Sequence, residues 1–218
     1  MKIIYDTQGK IYYNPVGGYV FYYSSTGVTS NYTDDFQAYS TGNLNNQGNW
    51  KQCQNNILVS DIVGDHRVDG ADAVESCSYI DGTYPNDQFA QVTIDAIGAS
   101  NQSFTGPAVR CNAGGNRYQV YLSTSEIYCD KWVGGTLTTL DSVTTGFSPV
   151  AGDVLRLEVV SNVLRVLLNG SPITNLGDAN GYITDGASSI ASGNPGVAAY
   201  GHGSIHTYAD NFVCTAPS

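Results

Sequence analysis

The segment RYQVYLSTSEIYCDKW, residues 117 to 132, sets aromatic, amide and charged side chains at alternate positions. If Thr124 and Ser125 form a hairpin turn, pairing places Arg117 opposite Trp132, Gln119 opposite Asp130 and Tyr121 opposite Tyr128, all on one face. Aromatic rings stack on the apolar faces of pyranoses while polar groups fix the hydroxyls, so this pattern has the chemistry of a sugar-binding surface. The same pattern also suits an outward sheet face covered by a neighbouring loop or subunit. Val120, Leu122, Ile127 and Cys129 fall on the other face, which sends Cys129 into a core.

Catalytic patterns are scarce. A glycosidase needs two carboxylates held across the scissile bond, and the chain has only three glutamates, Glu75, Glu126 and Glu158, none with an acidic neighbour at useful spacing. In Asp65-His66-Arg67-Val68-Asp69, His66 between two aspartates has the types of a general base or metal ligand, but the Gly-flanked setting argues for a solvated loop. His202 and His206, if on a strand, share a face about 13 Å apart, too far for one ion. No phosphate-binding loop, dinucleotide fingerprint or nucleophile elbow is present. The five cysteines, Cys53, Cys77, Cys111, Cys129 and Cys214, are widely spaced and lack a CxxC pair. Buried reduced thiols are expected in preference to a disulfide framework, and zinc is not expected.

The elements that position these residues are strands. DVLRLEVVSNVLRVLLNGSPI, residues 153 to 173, alternates apolar and polar, turns at Ser161-Asn162, alternates back and turns again at Asn169-Gly170. Val160 then faces Val163, Val159 faces Leu164, Glu158 faces Arg165, Leu157 faces Val166 and Leu155 faces Leu168, with the leucines and valines on a core face and the Glu158–Arg165 pair on a wet one. Further strand patterns lie at 87–98, 106–111, 117–123, 126–133 and 195–201. With 25 Gly, 16 Tyr and 41% apolar residues in 218, composition points to an all-β chain with one main core. The formal charge of −10 with nine basic residues argues against nucleic acid, and no apolar run is long enough to span a bilayer as a helix. Asp6 and Gln8 interrupt what would be the apolar core of a signal peptide, so no Sec-type leader is expected.

Residues 1–32 read as an N-terminal β arm of short strands, KIIYD, KIYYN and GYVFYYS, dense in tyrosine. Tyr5, Tyr12, Tyr13, Tyr19 and Tyr22 either dock on a partner or belong to edge strands of the main domain. Residues 33–218 read as the main β-sandwich.

Over roughly residues 33 to 213 the order of motifs, DDFQAY, Trp50, YPNDQFAQVTI, GPAVR, KWVGGTLTTL, GDVLRLEV, the Asn-Gly turn, an Asp-rich loop at 178–185, PGVAAYG and YADNF, resembles the concanavalin A-like lectin/glucanase jelly roll in its laminin-G-like form. The resemblance implies a sandwich of two antiparallel sheets whose first and last strands lie side by side. Asp35 of DDF and Asp210 of DNF would then meet as hard oxygen ligands for a structural calcium, or else cap turns. The acidic triplet of the family's glucanases, E-x-D-x-x-E, has no counterpart here, so a non-enzymatic protein is expected. Such domains occur in secreted carbohydrate-binding proteins and in bacteriophage virions. The expectation is a capsid decoration or fibre component, exposed for protein or glycan contact, assembled in the host cytoplasm and partnered by other virion proteins and copies of itself. The alternative is a secreted or surface carbohydrate-binding module. No nucleic-acid or membrane partner is expected.

Overall fold

The structure, a computed structural model, describes residues 3–5, 11–13, 31–98, 102–144, 146–186, 188–203 and 206–215. The chain divides into two compact units, Met1–Ser30 and Asn31–Ser218. In the first, β1 (Ile3–Tyr5) pairs antiparallel with β2 (Ile11–Tyr13), placing Tyr5, Tyr12 and Tyr13 on strands. Tyr19 and Tyr22, with the third expected strand, lie outside the described residues.

The second unit contains two antiparallel sheets. One has seven strands among the described residues, in the order β13 (Thr136–Val143), β12 (Ile127–Val133), β11 (Arg117–Leu122), β10 (Phe104–Cys111), β18 (Asn194–Tyr200), β8 (Glu75–Ile80) and β5 (Trp50–Gln54). The other runs β16 (Ser171–Pro172), β15 (Val163–Leu168), β14 (Val154–Val160), β9 (Gln88–Ala96), β19 (Tyr208–Cys214), β7 (Asp65–Gly70), β6 (Ile57–Ile62) and β4 (Gly42–Asn43), with β17 (Tyr182–Thr184) beside β15 and β3 (Tyr32–Asp34) beside β19. Each sheet buries alternate side chains against the other, because period-two alternation gives each strand one apolar face. Val92, Ile94, Leu155, Leu157 and Val166 come from one side and Val109, Val120, Leu122, Ile127 and Val197 from the other. At one end Trp50 sits between Phe36 and Phe212, ring centroids 5.8 and 5.0 Å away, and its Nε1 donates to Asp34 Oδ2 at 2.8 Å.

The two hairpins take the register their patterns dictate: Leu155 pairs with Leu168, Val159 with Leu164, Gln119 with Asp130 and Tyr121 with Tyr128. Asn169 and Gly170 adopt φ of 51° and 77°, the left-handed pair a tight hairpin requires. Three local expectations need correction. Asp65–Asp69 is strand β7 rather than a solvated loop, because Val63-Gly64, with φ of 59° and 84°, forms a two-residue turn that the exposed β-branched Val63 conceals in the sequence. Glu158 faces Arg165 in register, but its carboxylate pairs with Arg156 at 2.7 Å, and it is buried rather than wet. His202 and His206 do not share a strand, since β18 ends at Tyr200 and residue 203 lies in a turn.

Candidate functional site

The outer face of the seven-stranded sheet is where chemistry-bearing residues gather. Strand alternation puts Arg117, Gln119 and Tyr121 of β11 beside Tyr128, Asp130 and Trp132 of β12 on that face. Across β10 and β18 the floor is small: Gly106, Ala108, Gly196 and Ala198. That absence of bulk lets long side chains lie over the strands and reach β8 and β5. Arg117 donates Nε–H to Gln119 Oε1 and Nη1–H to Gln54 Oε1, both at 2.6 Å, while its Nη2 stands 3.7 Å from Glu75 Oε2. Tyr121 donates its hydroxyl to Glu75 Oε1 at 3.1 Å. Burial pushes the Glu75 and Asp130 carboxyls up from their ordinary values, and hydrogen bonds and the Arg117 charge only partly oppose this.

All six residues expected to bind a ligand therefore meet on one face, but not equally open to water. Arg117, Gln119, Tyr121 and Asp130 are buried within the face; Tyr128 and Trp132 are half-buried. The sequence pattern fixed the face, whereas the small floor on other strands decides which residues sink into it. The half-buried rings form a platform. Phe104, which hairpin reasoning alone omits, has its ring 5.0 Å from Tyr121 and 5.8 Å from Tyr128, and Trp132 stacks over the Arg117 guanidinium at 4.9 Å. Its signal lay in the β10–β18 pairing, which sets Phe104 on the same side as Gly106 and Ala108.

Three cysteines share this face. Among the described residues, the one group of three His, Cys, Asp or Glu side chains whose ligand atoms all lie within 4.8 Å of one another is Cys53, Cys77 and Cys111. All five cysteines are free thiols and buried, as expected, and Cys129 and Cys214 lie in the main core. Residues widely spaced in sequence thus come together in the fold. Hydrogen bonds from the Cys111 and Cys77 thiols lower the Cys53 thiol, against burial and with help from Arg117, while burial raises Cys77 and Cys111.

Asp35 and Asp210 approach one another through the pairing of β3 with β19, Phe212 opposite Asp34. Asp35 lines a cleft of about 510 Å³ with Tyr32, Asp34, Tyr39 and Phe212. Asp210 is raised by burial first and then by the charges of Asp65, Asp95 and Asp35, two of which Arg67 bridges at 3.0 and 2.5 Å. The donors are hard oxygens suited to calcium, but each also serves its own turn: Asp35 Oδ1 accepts from Gln37 N and Asp210 Oδ1 from Asn211 N. An ion there would need main-chain and water oxygens to reach six to eight ligands.

No protein-family profile and no curated protein matches the sequence. Solved structures do match. A carbohydrate binding module, CBM66, from Bacillus subtilis aligns with TM-score 0.54 and 13% identity over 76% of this chain and 93% of its own. A Bacillus subtilis protein of unknown function with a galectin-like fold gives 0.57 and 10% over 86% and 96%. A Bacillus licheniformis beta-glucanase gives 0.53 and 12% over 89% and 100%. Likeness at such identity establishes the fold.

Proposed function

We propose that this concanavalin A-like jelly roll is a non-catalytic lectin module whose seven-stranded sheet presents the Phe104, Tyr128 and Trp132 rings to glycans. The observation that carries the reading is the division of labour on that face: half-buried rings outside, and beneath them buried Arg117, Gln119 and Tyr121, tied to the half-buried Glu75, against which the Phe104 and Trp132 rings pack. Rings fixed in advance lose little entropy when a sugar stacks on them. A non-enzymatic role is supported by Asp130, which at 1% exposure is sealed beneath the face and cannot flank a glycosidic bond with Glu75. The experiment is a glycan array followed by calorimetry, with Tyr128→Ala and Trp132→Ala each expected to weaken binding by about tenfold or more, the worth of a stacked ring. Absence of any glycan ligand, or binding indifferent to both substitutions, would overturn the reading.

A second reading sets the same module on a bacteriophage particle, as capsid decoration or fibre component, partnered by virion proteins and further copies of itself. What favours it is the tyrosine-rich Met1–Ser30 stretch forming a unit of its own. Recovery of the protein in many copies on a larger particle would select this reading, and isolation as a free glycan-binding monomer would select the first. In either setting a structural calcium between Asp35 and Asp210 belongs to the proposal, supported by the mutual crowding of four carboxylates at that end.

A further inference from the structure

Cys53, Cys77 and Cys111 come from three strands that alternation alone would not bring into register. Cys77 stands on β8 with its side chain on the outer face, packed with Ala108, Ala198 and Tyr79 rather than with the main core. Cys111 should point inward: Ala108 faces out and Val109 in, so the third residue after Ala108 would follow Val109 into the core. A β-bulge between Ala108 and Cys111, with Arg110 at φ 53°, inserts one residue and turns Cys111 outward. On β5 a second bulge, between Gln52 and Gln54, sets both Cys53 and Gln54 against Cys77. Two separate departures from regular pairing thus converge on one point.

The spacing at that point suits a metal. Cys77 Sγ and Cys111 Sγ are 3.8 Å apart, and three sulfurs each about 2.3 Å from a tetrahedral ion stand about 3.8 Å from one another. Three thiolates around a divalent ion leave one net negative charge, and the fully buried Arg117 guanidinium lies on the same face, its Nη2 making no hydrogen bond and standing 3.7 Å from the Glu75 carboxylate with which it pairs. Cys53, 6% exposed, supplies the way in.

We propose that Cys53, Cys77 and Cys111 form a three-thiolate site for a zinc-class divalent ion, with the fourth position open to water on the Cys53 side. The proposal does not depend on glycan recognition, although Arg117 is common to both. The site fastens β5, β8 and β10 to one another across the outer face, using thiolate ligands that select soft ions over calcium or magnesium.

The test uses the full chain, reduced and stripped of metal, then titrated anaerobically with Zn2+ or Cd2+. About one ion per chain should bind, Cd2+ should produce a thiolate charge-transfer band, and zinc should protect Cys53 from alkylation in the unsubstituted protein. Cys53→Ser and Cys111→Ser should lose the band, while Cys129→Ser and Cys214→Ser should keep it. The alkylation readout needs no variant and so survives misfolding of any of them. Failure of the folded, reduced protein to bind either ion would overturn the proposal, as would a band retained in Cys53→Ser. A Cys77–Cys111 disulfide in protein isolated with its thiols blocked at lysis would also overturn it.

Discussion

Asp69 shows how a single side chain can hold a pH response that its sequence context conceals. It lies buried on β7 with Oδ2 2.8 Å from His206 Nδ1 and Oδ1 accepting from Ser60 Oγ at 3.1 Å. Burial is the largest influence and raises its carboxyl from 3.8 to about 6, with His206 and Ser60 pulling the other way. A carboxyl raised in the folded state keeps its proton where the unfolded chain has lost it. Its contribution to stability is therefore complete below the unfolded value and is lost as pH rises through the folded one. Relative to Asp69→Asn, the unsubstituted protein should lose thermal stability between about pH 4 and pH 6, and a difference independent of pH would show that Asp69 ionises as in the unfolded chain. Nothing in DHRVD announces this, because the burial comes from neighbours on β6, β19 and the segment carrying His206. The rings at 121, 128 and 132 were legible, since alternation within one hairpin suffices to align them.

At the scale of elements, glycines separate two kinds of constraint. Gly170 closes the β15–β16 turn at φ 77°, with nothing near the position a Cβ would occupy. Gly106 lies mid-strand on β10, where a Cβ would stand 2.1 Å from the Val120 carbonyl oxygen on β11. Gly170→Ala should cost about 1–2 kcal/mol from the left-handed backbone alone. Gly106→Ala should cost more, about 3 kcal/mol or above, because strands must part to admit it. Urea melts of the two variants check the order, and an equal or reversed cost would mean that β10 and β11 tolerate separation. The Asn169-Gly170 turn could be read in advance because its cause is local. Gly106 could not, for its crowding arises between strands, and the bulges that turn Cys111 and Cys53 outward are likewise products of pairing.

For the sandwich as a whole, β3 and β19 bring residues 34 and 212 together, so the end carrying Asp35 and Asp210 joins segments far apart in sequence. With calcium held there only in the folded state, chelation should lower Tm, and calcium, but not zinc, should restore it in Cys53→Ser, where the three-thiolate site is removed. No shift on chelation, and no effect of Asp210→Ala on calcium response, would remove the ion from the account. Composition and alternation by themselves determined an all-β chain, two hairpins in correct register and an aromatic face, because each depends on residues within one turn of the chain or on period two. Only tertiary structure decided that Arg117, Gln119 and Asp130 sink beneath the rings, that Asp69 is buried, and that three distant thiols converge. The physical reason is common to all three: burial and ligand distance are set by what lies across neighbouring strands, and pairing between strands far apart in sequence leaves no local periodicity to read.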